Sequence, residues 1–174
     1  SGTPYKIFDV AVSAAKISSL QAGTVLQVKT AQKTDKDSFT GTGFSEISGL
    51  SVSITPSSTS SKILVMVSLA FGCSTADRIS FTARRGSTNL ANHSSSVGNR
   101  TSAFFGIVPN SNNDLCNASF STLDSPATTS ATTYRVDGRV TSGTAYINAT
   151  FSDTDNATNT NRGVSSITVM EIAG

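Results

Sequence analysis

From Thr24 to the C-terminal end, apolar residues recur at every second position in short runs broken by Gly, Ser, Asn and Pro. In residues 50–55, LSVSIT, strict alternation puts Leu50, Val52 and Ile54 on one face, the mark of a half-buried strand. Residues 79–84 alternate in the same way before a turn at Arg85-Gly86-Ser87. Residues 62–71, KILVMVSLAF, are apolar at successive positions, which predicts a central strand covered on both faces. Further strands are predicted over 25–28, 102–108, 116–123, 132–140, 144–151 and 165–172. The runs 132–140 and 144–151 are expected to pair across a Gly-containing connection, and the first and last strands to pair with each other. Eight to ten short strands with such punctuation predict an all-β sandwich or barrel.

Residues 1–23 differ. Ile7, Val10, Ala14, Ile17 and Gln21 are spaced three, four, three and four apart, an a/d seam over two heptads. Pro4 suits a first helical turn and Gly23 a stop. Phe8, Val10 and Val12 also alternate at period two, so an extended arm is the other reading. A helix this short is marginal alone and would need something to dock on. Residues 1–23 are therefore read as an arm for trimerisation or anchoring, with Ile7, Val10, Ala14 and Ile17 as its contacts, and residues 24–174 as the β domain.

Composition sharpens this picture. Charged residues are 14% of the chain, against about 25% in ordinary domains. Hydroxyls fill the gap: 30 Ser and 24 Thr supply the polar strand faces and turns that charge supplies elsewhere. No 18-residue apolar run occurs, so no membrane insertion is expected. No basic segment precedes an apolar one at the start, so no signal peptide is expected. A net charge of +2 with Arg84-Arg85 as the one adjacent basic pair argues against nucleic acid as a partner, and that pair is expected at a solvated strand end. Cys73 and Cys116 lack metal or redox spacing; free buried thiols are expected, with a cross-strand disulfide the alternative.

Catalytic chemistry has little to work with. His93 is the sole histidine and lies in the polar run 92–96, where surface exposure is expected. No nucleophile elbow or phosphate-binding loop is present. Asp35 and Asp37 are assigned to a solvated loop. The Asp153-Thr-Asp155-Asn156 run alternates as a Ca²⁺ ligand set can but lacks the Gly and distal Glu of an EF-hand loop. Glycoside cleavage would need two acids brought together from among Glu46, Asp77, Asp114, Asp124 and Asp137, and nothing in the sequence joins any two of them. No enzyme activity, cofactor or metal is therefore expected. Sequons at Asn92, Asn99, Asn117, Asn148 and Asn156 arise readily by chance in so Asn- and Ser-rich a chain.

Three stretches carry a resemblance: GLSVSITPSSTSSKILVMVS (49–68), LDSPATTSATTYRV (123–136) and SITVMEIA (166–173), with VLQV (25–28) fitting an opening strand. They resemble segments of tail-fibre and other virion proteins of marine tailed bacteriophages. The resemblance spans most of residues 24–174. It implies a jelly-roll sandwich like the trimeric tumour-necrosis-factor-like heads, on the exterior of the particle. It implies a homotrimer whose other partners are further virion proteins and a host cell-surface receptor. Two functions follow: a tail-fibre module for host attachment, or a capsid decoration or head-fibre protein.

The residues favour a trimer independently, because a single sandwich does not need a strand apolar on both faces, and a threefold axis would absorb the surplus. Phe104, Phe105, Tyr134 and Tyr146 are the interface candidates, with ordinary monomer core as the competing role. Receptor contact is expected from polar loops near 92–100, 109–117 and 153–163, through Asn92, His93, Asn110, Asn112 and Asn156. Those loops lack an internal aromatic platform, which lowers the expectation of a glycan ligand.

Overall fold

A computed structural model describes residues 21–91, 98–155 and 158–174. The arm positions Ile7, Val10, Ala14 and Ile17 and the loop positions Asn92, His93 and Asn156 lie outside the described residues. The described residues are all-β, in eleven strands: β1 (Val25–Lys33), β2 (Asp37–Thr40), β3 (Ser45–Ile54), β4 (Lys62–Cys73), β5 (Ile79–Arg85), β6 (Thr88–Asn89), β7 (Phe105–Ile107), β8 (Cys116–Asp124), β9 (Thr132–Val140), β10 (Thr144–Ile147) and β11 (Ser165–Ile172).

Two antiparallel sheets form. Sheet A runs β1-β11-β4-β10-β2, with β8 on the free side of β4; sheet B runs β3-β9-β5-β6, with β7 also on β5. The alternating residues point inward and meet in one core. Ile63, Val65, Val67, Leu69 and Phe71 of β4 and Ile167 and Val169 of β11 face Leu50, Ile54, Ile79, Phe81, Tyr134 and Val136 of sheet B. Phe71 packs edge-on against Phe81 at 4.9 Å and Phe105 at 5.6 Å, so the two sheets are joined by aromatic contacts at the centre.

The first and last strands pair as expected, Val28 opposite Met170 and Ala31 opposite Ile167, with β1 at a sheet edge. The expected pairing of 132–140 with 144–151 does not occur: β9 pairs with β3 and β5, and β10 with β4 and β2. Gly143, at φ +63°, turns the chain out of one sheet and into the other, so the glycine marks a crossover and not a hairpin. The run 102–108 is shorter as a strand than expected, and β2 and β6 were not expected as strands. Asp35 lies in the solvated β1–β2 loop as expected, while Asp37 instead begins β2; both reach the buried ammonium of Lys33, at 2.9 and 3.5 Å.

The strand over 62–73 is central, but its outer face is divided. Beyond Leu69 the chain covers itself. A side chain at Gly72 would strike the Ala149 carbonyl at 2.7 Å, and one at Gly163 would strike Ala70 at 2.3 Å. Asn148 fastens that cover: its N–H donates to the Ala70 carbonyl at 2.8 Å and its amide donates to the Lys33 and Asp35 carbonyls. The earlier half of the outer face, Leu64, Met66 and Ser68, has no such cover from the described residues; Leu64 is half-buried, while Met66 and Ser68 are exposed.

At the end of β11 the alternation buries a charge. Glu171 lies in phase with Ile167 and Val169 and is fully buried. Its carboxylate accepts from the Ser57 N–H and hydroxyl (2.6 Å each), the Ser61 hydroxyl (2.7 Å) and the Gln27 amide (2.6 Å). Burial works to raise its pKa, and these donors outweigh it, holding the carboxyl below its ordinary value. The carboxylate thereby ties the β3–β4 loop to the first and last strands.

Candidate functional site

The aromatic residues expected at a subunit interface divide by position. Tyr134 is fully buried inside the single chain and donates its hydroxyl to Asp124 at 2.7 Å, so it cannot touch a neighbour. Its inward phase on β9, opposite Val52 and Arg85, is the reason. Phe105 is half-buried against Phe71 in the core. Phe104 is half-buried and stacks on Phe120, with centroids 4.8 Å apart and planes 4° from parallel. Tyr146 is half-buried beside Phe151, with the Lys36 ammonium 4.7 Å from its ring centre.

The exposed apolar surface lies elsewhere, on the outer face of sheet A. Val28, Met170, Leu64 and Leu123 are direct cross-strand partners in sequence across β1, β11, β4 and β8. At about 4.8 Å per strand, this row runs about 15 Å across the sheet. Val28 is 50% exposed and Leu123 59%. Met66, 43% exposed, lies one row further on, between Thr168 and Ser121. The next row is Gln32, Ser166, Ser68 and Ser119. A shallow dish of about 380 Å³ opens at its centre, lined by Met66, Ser68, Ser119, Ser121, Ser166 and Thr168. None of the residues in these three rows is charged.

Sheet B presents the opposite character. Its outer face carries Arg84, Arg135 and Asp137, with Glu46 at the β3 edge. Asp137, 1% exposed, accepts a hydrogen bond from Arg135 Nε at 2.8 Å and is ion-paired with Arg84, whose Nε lies 2.8 Å away, and Arg135 also reaches Glu46 at 3.6 Å. Arg85 turns to Asp124 at 2.7 Å. The Arg84-Arg85 pair is therefore half-buried and ion-paired, not a solvated strand end.

Other expected site residues are spoken for. Asn112 is exposed, but its side chain accepts from the Thr75 N–H and its carbonyl from the Ser152 N–H, so it braces three loops. Asn110 is exposed. Asp153 is bonded to Lys36 and to Arg162 (2.9 Å), while Asp155 is exposed, and so the Asp153–Asp155 run does not converge on a vacant ion position. Asn148, one of the sequons, is buried. Both cysteines are free thiols. Burial and the neighbouring Asp77 push Cys73 up to about 11, and burial raises Cys116 as well. Of the acids named for glycoside cleavage, the fold brings Glu46 and Asp137 together as cross-strand partners, with Arg135 bound to both; among the described residues no three His, Cys, Asp or Glu side chains cluster as a metal site would need.

No protein-family model matches the chain, and no curated protein matches it. The open row was missed in the sequence because its members fall in four different strands and look like core residues one at a time. Only the register shows that Val28, Leu64, Leu123 and Met170 are out of phase with their buried neighbours and in phase with one another.

Proposed function

We propose that this chain is a non-enzymatic, trimeric jelly-roll module on the exterior of a bacteriophage virion, and that it serves in attachment to the host. The observation that carries the assembly is the apolar row on sheet A. Its residues occupy positions at which a lone sandwich favours polar side chains; the two rows on one side of it hold Ser, Thr, Gln and Met66, and the row on the other side holds Lys62 opposite Ile172. Identical copies can meet through the three uncharged rows without like-charge repulsion, with Lys62 at their border. Covering the exposed remainder of Val28, Met66 and Leu123 is worth about 1–2 kcal/mol for each side chain.

The topology agrees with a jelly roll. With the short β2, β6 and β10 set aside, eight strands remain, four in each sheet, and every connection between them crosses between sheets except β5 to β7. The segments that resemble phage virion proteins fall on β3–β4, β8–β9 and β11, the strands that build the core and the open row. Sheet B faces away from the proposed axis and is left to meet the host.

The direct test is to image particles labelled on this chain. Density at the tail tip with threefold symmetry is expected. Density on the capsid would replace attachment with decoration, and failure of purified protein to bind any of a panel of host cells would count against attachment.

A further inference from the structure

The chain has seven arginines, and their partners separate them into two groups. Arg84 and Arg135 pair with Asp137, Arg85 with Asp124, and Arg162 with Asp153. The other three, Arg78, Arg100 and Arg139, have no carboxylate partner among the described residues. They come from three separate stretches of sequence, yet they gather at one place: a pocket of about 490 Å³ on the outer face of sheet B, lined by Arg78, Ser80, Asn99, Arg100, Thr101 and Phe104 among others. Arg139 is the cross-strand neighbour of Ser80 and donates to the Thr101 hydroxyl at 2.7 Å, which places its guanidinium at the rim.

No acid lines this pocket. Asp77, next to Arg78 in sequence, is buried and holds the Ser142 hydroxyl instead. The sequence between Ala91 and Gly98 contains no acid either. The floor is Ser80, 4% exposed, whose hydroxyl has no partner among the described residues. Gly106 stands opposite it on β7. A side chain there would come within 3.1 Å of that hydroxyl, so a bare position keeps the floor clear. One wall is apolar: Phe104, with one ring face occupied by Phe120. This supplies the aromatic element that the Asn-rich loops lack within themselves.

Guanidiniums without a carboxylate partner, over a hydroxyl open to the pocket and beside an aromatic ring, match a sugar ring that carries an acid group. We propose that this pocket binds the carboxylate- or sulfate-bearing sugar of an acidic surface polysaccharide. Arg78 and Arg100 take the anionic group, Ser80 and Asn99 the ring hydroxyls, and Phe104 the apolar face of the ring. Arg139 holds Thr101 in place. The proposal deepens the attachment reading by naming its ligand class, but it does not depend on the trimer.

The test is binding of the full chain to three probes: a galacturonate oligomer, a sulfated galactan fragment and a neutral galactose oligomer, with single-stranded DNA as a polyanion control. Nuclear magnetic resonance titration suits weak sites. At least one acidic probe is expected to bind, with shifts centred on residues 78–80 and 99–106, while the neutral oligomer does not. Arg78→Gln and Arg100→Gln are each expected to weaken binding about tenfold or more, since each removes a charge-assisted contact. Gly106→Ala is expected to weaken it through the Ser80 floor while both arginines remain. Thermal melts of each variant check that the fold is intact. Binding of neither acidic probe, binding of the neutral oligomer or of DNA as tight as that of the acidic sugars, or acidic-probe binding unchanged in both arginine variants would each overturn the pocket. Sedimentation of the same samples separates the two claims: a trimer that ignores acidic sugars sinks the pocket alone, and a monomer that binds them sinks the trimer alone.

Discussion

The outer faces of the two sheets are built from the same alternation and end up with opposite chemistry. On sheet B, Asp137 is almost wholly buried between Arg84 and Arg135, so charge at that end of the face is compensated within one chain, while Arg78, Arg100 and Arg139 at the other end have no carboxylate partner among the described residues. On sheet A, Val28, Met66 and Leu123 stay in water although their strands hold neutral Ser and Thr in the neighbouring rows. Groups that satisfy each other, as Asp137 and its two arginines do, need no partner. A face with an uncompensated apolar row holds free energy that only a second surface can release. The contrast also shows how so lightly charged a chain divides its labour: Asp137 and Asp124 pair with arginines of sheet B, and the three rows assigned to assembly hold no charge, Lys62 lying one row beyond them.

If this contrast is right, substitutions on the two faces should fail in different ways. The largest effect on folding is expected from Asp137→Ala, which strands two arginines against sheet B. A loss of about 2–3 kcal/mol in urea unfolding is expected, below the range for fully buried pairs because both guanidiniums still reach water. Glu171→Gln should come next, at about 1–2 kcal/mol near neutral pH, because the amide cannot accept all four donors as the carboxylate does. This carboxyl has its folded pKa lowered from 4.5, so its share of stability is present above that value and lost as pH falls through the folded one. The wild-type acid limb should therefore be steeper than that of Glu171→Gln in unfolding measured from pH 6 to pH 3. Leu123→Asp on sheet A should cost the folded single chain least, within about 0.5 kcal/mol, as an exposed substitution does. A loss larger than that of Asp137→Ala would mean that the row belongs to the interior after all.

The sequence carried the strand-forming pattern well where alternation was strict, as over 50–54 and 165–169, and it paired the two ends of the chain correctly. It failed where a single glycine had two meanings. Gly143 reads equally as a hairpin turn or as a crossover, and only the register of β9 and β10 on different sheets decides. It failed also for Glu171, because a carboxylate in phase with core residues looks like an error until its donors, from positions 27, 57 and 61, are brought to it. The surplus of apolar residues in 62–71 was legible and the surface it creates was not. Tyr134 was drawn to the interface by residue type, although it lies in the buried phase of β9, and Met66 was overlooked because it is embedded in an apolar run. The arginine pocket could not be found from sequence, since Arg78, Arg100 and Arg139 become neighbours only through strand pairing and a loop contact.

The central claim is that sheet A is a shared face, and sedimentation equilibrium of the purified chain at micromolar concentration tests it most directly. The account predicts a mass three times that of the 17.9 kDa chain, reverting to one copy when Met66→Lys and Leu123→Asp are combined in a protein that still melts cooperatively. A wild-type chain that sediments as a single copy, or a trimer indifferent to both substitutions, would contradict it.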